Sequence, residues 1–183
     1  MKVIIVMPAY NAAKTIVPTL ERIDKKVLDK VHEIIVVNDG SKDDTQKMIE
    51  KVQKKFKIKL IVHPQNKGYG AAQKTGFTQA MKDGADIAVL LHSDGQYPPE
   101  MIPQVIAPIE SGKADVVIGS RILGKGALKG GMPLHKYIGN RTLTFIENIA
   151  YGMNISEYHS GYMIYSKKAL STIPFTKLSD ILS

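Results

Sequence analysis

The chain has 183 residues, 44% of them hydrophobic, with mixed charge and a formal net charge of +8, which is enough for one domain with a proper core and excludes a disordered chain. It contains no cysteine, which rules out disulfides and thiolate metal sites. No apolar run approaches the roughly 20 residues that cross a bilayer, and residues 3–7, cut short by Pro8, are no signal peptide, so a cytoplasmic protein is expected.

In chain order, residues 3–7 form a continuous apolar run followed by the loop Pro8-Ala9-Tyr10-Asn11. A helical pattern begins near Thr15, with Ile16, Leu20, Ile23 and Val27 on one face; Pro18 is tolerated because it lies in the first turn. Residues 34–37 make a second apolar run, ending in Asn38-Asp39-Gly40-Ser41, and a helix over about 43–56 buries Met48, Ile49 and Val52. Residues 58–62 give a third strand, and Asn66-Lys67-Gly68-Tyr69-Gly70 turns into a helix reaching about Lys82. A fourth strand covers residues 87–91. The next helix, about 98–110, is short or kinked because of Pro103 and Pro108. Residues 116–118 form a fifth strand before Gly119-Ser120-Arg121.

Residues 122–132, with Gly124, Gly126, Gly130, Gly131, Lys125 and Lys129, read as a mobile loop that closes over a bound ligand. A long helix over about 134–151 carries Lys136 and Arg141, and residues 161–165 form a last short strand. Strands alternating with helices predict an α/β fold with a largely parallel sheet. No linker or repeat interrupts it, so residues 1–183 are read as a single domain.

The polar motifs all follow strand ends, the edge where open α/β sheets bind ligands. At the fourth strand, His92, Asp94 and Gln96 alternate onto one side of an extended chain. An imidazole, a carboxylate and an amide oxygen suit Mn or Mg rather than a soft metal. A plain Asp-Gly turn is the competing reading. Gly68-x-Gly70 lacks the third glycine of a dinucleotide fingerprint, and no Gly-Lys-Ser/Thr phosphate loop exists. The lysine-rich stretch 42–59 has no interleaved aromatic residues, which argues against nucleic acid. The excess positive charge favours anionic small molecules or an anionic membrane surface.

Pro8-Ala9-Tyr10-Asn11, Val37-Asn38-Asp39-Gly40-Ser41, Asn66-Lys67-Gly68, Asp94-Gly95-Gln96-x-Pro98-Pro99-Glu100 and Gly119-Ser120-Arg121 stand in the order seen in family 2 glycosyltransferases. The chain resembles their polyprenyl-phosphate branch over nearly its whole length. The resemblance implies a GT-A fold and inverting transfer of a sugar from a nucleotide-diphosphate sugar to a polyprenyl phosphate, peripherally at a membrane. It further implies that Pro8, Ala9 and Tyr10 line the base and ribose pocket, and that Asp39 accepts hydrogen bonds from the base. Lys67 and the backbone at Gly68 approach the diphosphate, Asp94 and Gln96 hold the metal with His92, and Arg121 stabilises the leaving group. Lys136 and Arg141, on one helix, are candidates to seat the acceptor phosphate; Glu157 and His159 fall where the family has a short acidic motif.

Four departures stand out. His92 replaces a frequent Asp, Ala12 a frequent Glu and Met163 a common Arg, and the chain ends at Ser183, earlier than the usual catalytic domain. They keep open a second reading, a non-catalytic nucleotide-sugar-binding remnant of the same fold. Self-association is also open, with a dimer as the default.

Overall fold

The computed structural model describes residues 1–123, 126–129 and 131–181. Its centre is β1 (Val3–Ala9), whose seven residues are all buried. Such a run has no polar alternation because helices cover both faces of a parallel sheet. β2 (Val31–Asn38), β3 (Ile58–Val62) and β4 (Ile87–Leu90) run parallel to it. With β5 (Val116–Ile118) and β6 (Met163–Ser166) they form one sheet of order β3-β2-β1-β4-β6-β5. β6 pairs antiparallel to β4, Ile87 opposite Ser166 and Leu90 opposite Met163.

One sheet face packs Ile4, Val6, Ile35, Val37, Ala88 and Leu90 against Ala72, Phe77 and Ala80 of α4 (Tyr69–Lys82) and Leu170 of α8 (Lys167–Thr172). By alternation Ile5, Met7, Ile34, Val36 and Val89 fall on the other face and are equally buried. The single apolar stripe expected from Thr15 onward is two helices, α1 (Ile16–Glu21) and α2 (Lys25–Lys30). Asp24 separates them by accepting the Val27 N–H at 2.8 Å, an N-cap that starts a new helix while Ile23 and Val27 stay buried. α3 (Thr45–Val52) is shorter than expected. Pro99–Met101 form a 3-10 turn ahead of α5 (Ile102–Glu110), which contains Pro108.

The chain forms two compact units: Met1–Val117 with Met163–Ser183, and Ile118–Tyr162. The second holds α6 (Gly126–Lys129), α7 (Leu134–Tyr151) and the segment returning to Tyr162. The stretch expected to be all loop therefore contains a helical turn. Gly124, Lys125, Gly130 and the side chain of Lys129 lie outside the described residues.

α7 is inverted relative to an ordinary surface helix. Leu134, Ile138, Phe145 and Ile149 fall along one stripe at about 100° per residue, and they are 62%, 55%, 65% and 68% exposed. The polar side turns inward. Asn148 Nδ2 donates to Ile155 O (2.9 Å), its Oδ1 accepts from Ile155 N and Tyr158 OH, and Thr144 is buried.

Candidate functional site

β1, β2, β3 and β4 are parallel, so their C-terminal ends share one edge of the first unit. There a cleft of about 270 Å³ is lined by Pro8, Ala9 and Tyr10 from the end of β1, Asp39 after β2, Asn66 and Gly68 before α4, and His92 and Asp94 after β4. Tyr69 and Ala72 of α4 complete it.

The loop after β1 is fastened to the loop after β2. Asn11, at φ +49, tolerates the left-handed conformation. Its N–H donates to Ser41 Oγ and its Oδ1 accepts the Lys42 N–H, both at 2.9 Å. Ala12 N donates to Thr45 Oγ1 (2.7 Å) and Ala13 N to Asp43 Oδ2 (3.1 Å). Desolvation works to raise the Asp43 carboxyl, but the Thr45 hydroxyl and the Ala13 and Thr45 N–H groups hold it below its ordinary value. Ala12 is thus part of a backbone clamp. Gly40, at φ +65, lets the chain cross beneath the Gln65 backbone, which a Cβ would meet at 2.3 Å.

Asp39 is 3% exposed. Its Oδ1 accepts from His63 Nδ1 (2.6 Å) and Lys67 N (3.0 Å), and its Oδ2 from Gly68 N (2.9 Å). The N–H groups of Lys67 and Gly68, expected to face a diphosphate, are directed at this carboxylate instead. Of that pair, the exposed Lys67 side chain is what remains to meet an anion.

His92 does not present Nε2 to a metal: that atom lies 2.5 Å from the Tyr69 hydroxyl. The imidazole also packs between Tyr69 and Tyr97, with ring centroids 5.2 and 4.9 Å away. Burial pushes the Tyr69 phenol up, so it stays protonated and can donate to Nε2. His92 therefore shapes the wall of the cleft.

Asp94 is exposed, at a turn where Gly95 has φ +76 and Gln96 N donates to Asp94 Oδ1 (3.0 Å). Two residues that sequence reasoning passed over steady this turn. Arg22 Nη1 donates to Gly95 O (2.7 Å) while its Nε and Nη2 bracket the Glu100 carboxylate at 3.1 and 3.3 Å. The Thr19 hydroxyl lies 3.3 Å from Ser93 O. Arg22 was legible only as one of three arginines, with nothing in the spacing to tie it to a turn more than 70 residues away.

Among the described residues no three His, Asp or Glu side chains are grouped to hold a metal. The donors present still fit a hard divalent ion. Asp94 and Gln96 offer oxygen ligands on an exposed turn, and Mg-type sites characteristically combine one or two carboxylates with water and substrate phosphates.

In the second unit, Arg121 meets Glu157, whose side chain is wholly buried. Arg121 Nη2 donates to Glu157 Oε1 (2.8 Å) and to His159 O (3.2 Å), and Arg121 N to Oε2 (2.7 Å). Ser120 Oγ and Asn140 Nδ2 add bonds of 3.2 Å to the same carboxylate. Glu157 thus ties the Gly119-Ser120-Arg121 turn to α7. Sequence reasoning placed it near the acceptor and missed its structural role. Lys136 and Arg141 are both exposed on α7. Five residues turn a helix through roughly 140° beyond a full circle, so the two side chains leave it on different sides. Arg141 flanks the apolar stripe.

A family model described as glycosyl transferase family 2 matches residues 4–173. The chain belongs to that family. Among the relatives of this glycosyltransferase is the UDP-N-acetylglucosamine–dolichyl-phosphate N-acetylglucosaminyltransferase of Methanococcus voltae, 36% identical over 92% of this chain and 71% of the relative. The dolichol-phosphate mannosyltransferase of Pyrococcus furiosus is 31% identical over 100% of this chain and 52% of its own length. The chain thus spans about half to seven tenths of these relatives. Its fold matches glucosyl-3-phosphoglycerate synthase of Mycobacterium tuberculosis, solved with Mn2+ and UDP-glucose, at a TM-score of 0.66 and 21% identity, over 94% of this chain and 58% of the other. The architecture is the GT-A fold.

Proposed function

We propose that this glycosyltransferase moves a sugar from a nucleotide-diphosphate sugar to the phosphate of a polyprenyl lipid. The observation that carries the reading is the cleft at the strand ends, where Pro8, Tyr10, Asp39 and Asp94 line one wall-to-floor surface. The dolichyl-phosphate transferases among the relatives support the acceptor class.

In this reading Tyr10 packs on the base and ribose, and Asp39 accepts an N–H of the base with its remaining lone pair. Lys67 balances diphosphate charge. Asp94 and Gln96 hold Mn or Mg, as a protein of the same fold holds Mn2+, and a bound metal would neutralise the charge that builds on the leaving diphosphate. Arg121 is proposed as a further charge-balancing group. A phosphate monoester is already largely ionised at neutral pH, its second pKa being about 6, so its attack on the sugar carbon needs no strong general base.

Among the described residues no helix is long and apolar enough to cross a membrane. The apolar stripe of α7, with Arg141 beside it, fits a helix lying in the interface of an anionic bilayer, and peripheral attachment on the cytoplasmic face is part of the proposal.

The test is transfer of radiolabelled sugar from UDP- and GDP-sugars to a short polyprenyl phosphate, with and without Mn. Label appearing in the lipid phase supports the reading. Tight nucleotide binding with no transfer to any acceptor overturns it in favour of a non-catalytic binding module.

A further inference from the structure

Beneath the cleft lies a buried pair that the proposed chemistry leaves unused. His63 follows β3 and is 6% exposed. Its N–H extends the sheet ladder by donating to Asn38 O at 2.9 Å. Its Nδ1 lies 2.6 Å from Asp39 Oδ1, and its Nε2 lies 3.0 Å from Thr75 Oγ1 on α4. An ionised carboxylate only accepts, so Nδ1 carries the proton between them. Asp39 in turn takes the Lys67 and Gly68 N–H groups. The hydrogen bonds thus run from α4 through His63 and Asp39 into the loop that enters α4.

The terminal torsion of an aspartate is soft, with broad preferences. At the mouth of a cleft that softness would have to be frozen when a ligand binds, at a cost in affinity. Here, among the described residues, three donors fix both oxygens before any ligand arrives, and of these only His63 does so with a side chain. We propose that His63 is a positioning residue for nucleotide binding: by holding Asp39 in one rotamer it presents the carboxylate edge facing the cleft to the base. This rests on the nucleotide-sugar reading above. A purely structural histidine would stabilise the same loops without affecting affinity.

Two variants separate these roles. His63→Leu fills the space and removes the donor to Asp39. His63→Asn carries an amide N–H close to the position of Nδ1 and drops the reach to Thr75. Both lose the Thr75 contact, so both are expected to melt lower than the parent. Calorimetric titration with UDP and with GDP, well below both melting points, is expected to show the nucleotide Kd raised about tenfold or more in His63→Leu and largely recovered in His63→Asn. Equal Kd in parent and His63→Leu overturns the proposal, as does affinity that merely follows melting temperature in the two variants. A measurement on the unaltered protein is independent of folding defects: the His63 Nδ1 proton, expected far downfield in the NMR spectrum, should move when the nucleotide is added. An unmoved resonance at saturation overturns the positioning role. A parent that binds neither UDP nor GDP overturns the nucleotide reading and the proposal with it, a result distinct from normal parental binding with an indifferent His63→Leu.

Discussion

Asp39 shows how a single side chain can serve a cleft and the fold together. Read as a strand-end residue, it is expected to matter for ligand and little for stability. Its three hydrogen bonds change that expectation. Asp39→Ala leaves the buried imidazole and the Lys67 N–H without their acceptor, while the Gly68 N–H keeps Asn66 Oδ1 at 3.0 Å, at about 1–3 kcal/mol for each orphaned group that water cannot reach. The variant should therefore lose nucleotide binding and also unfold at clearly lower urea, read by circular dichroism. Asp94 is the opposite case, exposed and, among the described residues, with one hydrogen bond to its carboxylate. Asp94→Asn should leave the melting curve within about 0.5 kcal/mol of the parent while abolishing the Mn dependence of donor binding; unchanged Mn dependence would refute the metal assignment. His92→Asp tests the neighbouring position. The imidazole is engaged by Tyr69 and Tyr97, so the substitution removes a piece of the cleft wall, and a weaker nucleotide affinity with no gain in Mn affinity is expected. The residue types at the strand ends were legible, since polar groups after apolar runs stand out. Their partners were not. His63 directly follows β3 as an ordinary loop letter, and only the pairing of β3 beside β2 makes it a neighbour of Asp39.

Elements were legible where one periodicity had one cause. β1, β4 and the second half of β2 are continuous apolar runs because both faces are covered, whereas β3, at the sheet edge, carries Lys59 and is only partly buried. The stretch after Thr15 failed because Ile16, Leu20, Ile23 and Val27 keep helical spacing across a break, and the signal of that break, Asp24 as an N-cap, was outweighed by the stripe. For α7 the extent was legible and the facing was not. Periodicity locates the apolar side without saying which side meets solvent, and here Asn140 and Asn148 are drawn inward by Glu157 and by the Ile155 backbone. Phe145→Asp combined with Ile149→Asp should consequently cost little stability and strongly reduce sedimentation with anionic liposomes; unchanged sedimentation would remove α7 from the membrane reading. α4 allows a test of the opposite kind. A Cβ on Gly76 would lie 2.3 Å from Val6 Cγ1. Gly76→Ala gains about 1 kcal/mol of helix propensity but forces α4 off β1, for which about 1–3 kcal/mol is typical. The net loss of up to about 2 kcal/mol should lower the melting temperature by up to about 8 °C, and a raised one would show that the helix can shift freely.

At the scale of the molecule, the sheet unit rests on an apolar core while Ile118–Tyr162 is organised around a charge. Glu157 is wholly buried and paired with an arginine about one third exposed. Breaking a buried pair from one side is strongly destabilising, and the partial exposure of Arg121 puts Glu157→Gln near the lower end, about 3 kcal/mol. The loss should be confined to the second unit. Hydrogen exchange is expected to speed up along α7 and stay unchanged in β1 and β4, whereas uniform acceleration would mean that the two units unfold together. The sequence changes texture at the glycine-rich stretch after Arg121, which reads as a loop and not as a boundary, and nothing in it marks residue 162. The division comes from packing.

The same division bears on synthesis. Unit one is discontinuous, with β6 returning from beyond the second unit to close the outer edge of β4. A ribosome adding about 5–20 residues per second must deliver the whole of the second unit before β6 exists. For those seconds the nascent chain carries a fully apolar strand, β4, with one ladder side unpaired, an edge of the kind that recruits other chains. Yield in cells should thus depend on translation speed between codons 91 and 166 more than on the stability of the finished protein. Synonymous slow codons placed there should increase aggregation, and the same codons placed after residue 170 should not.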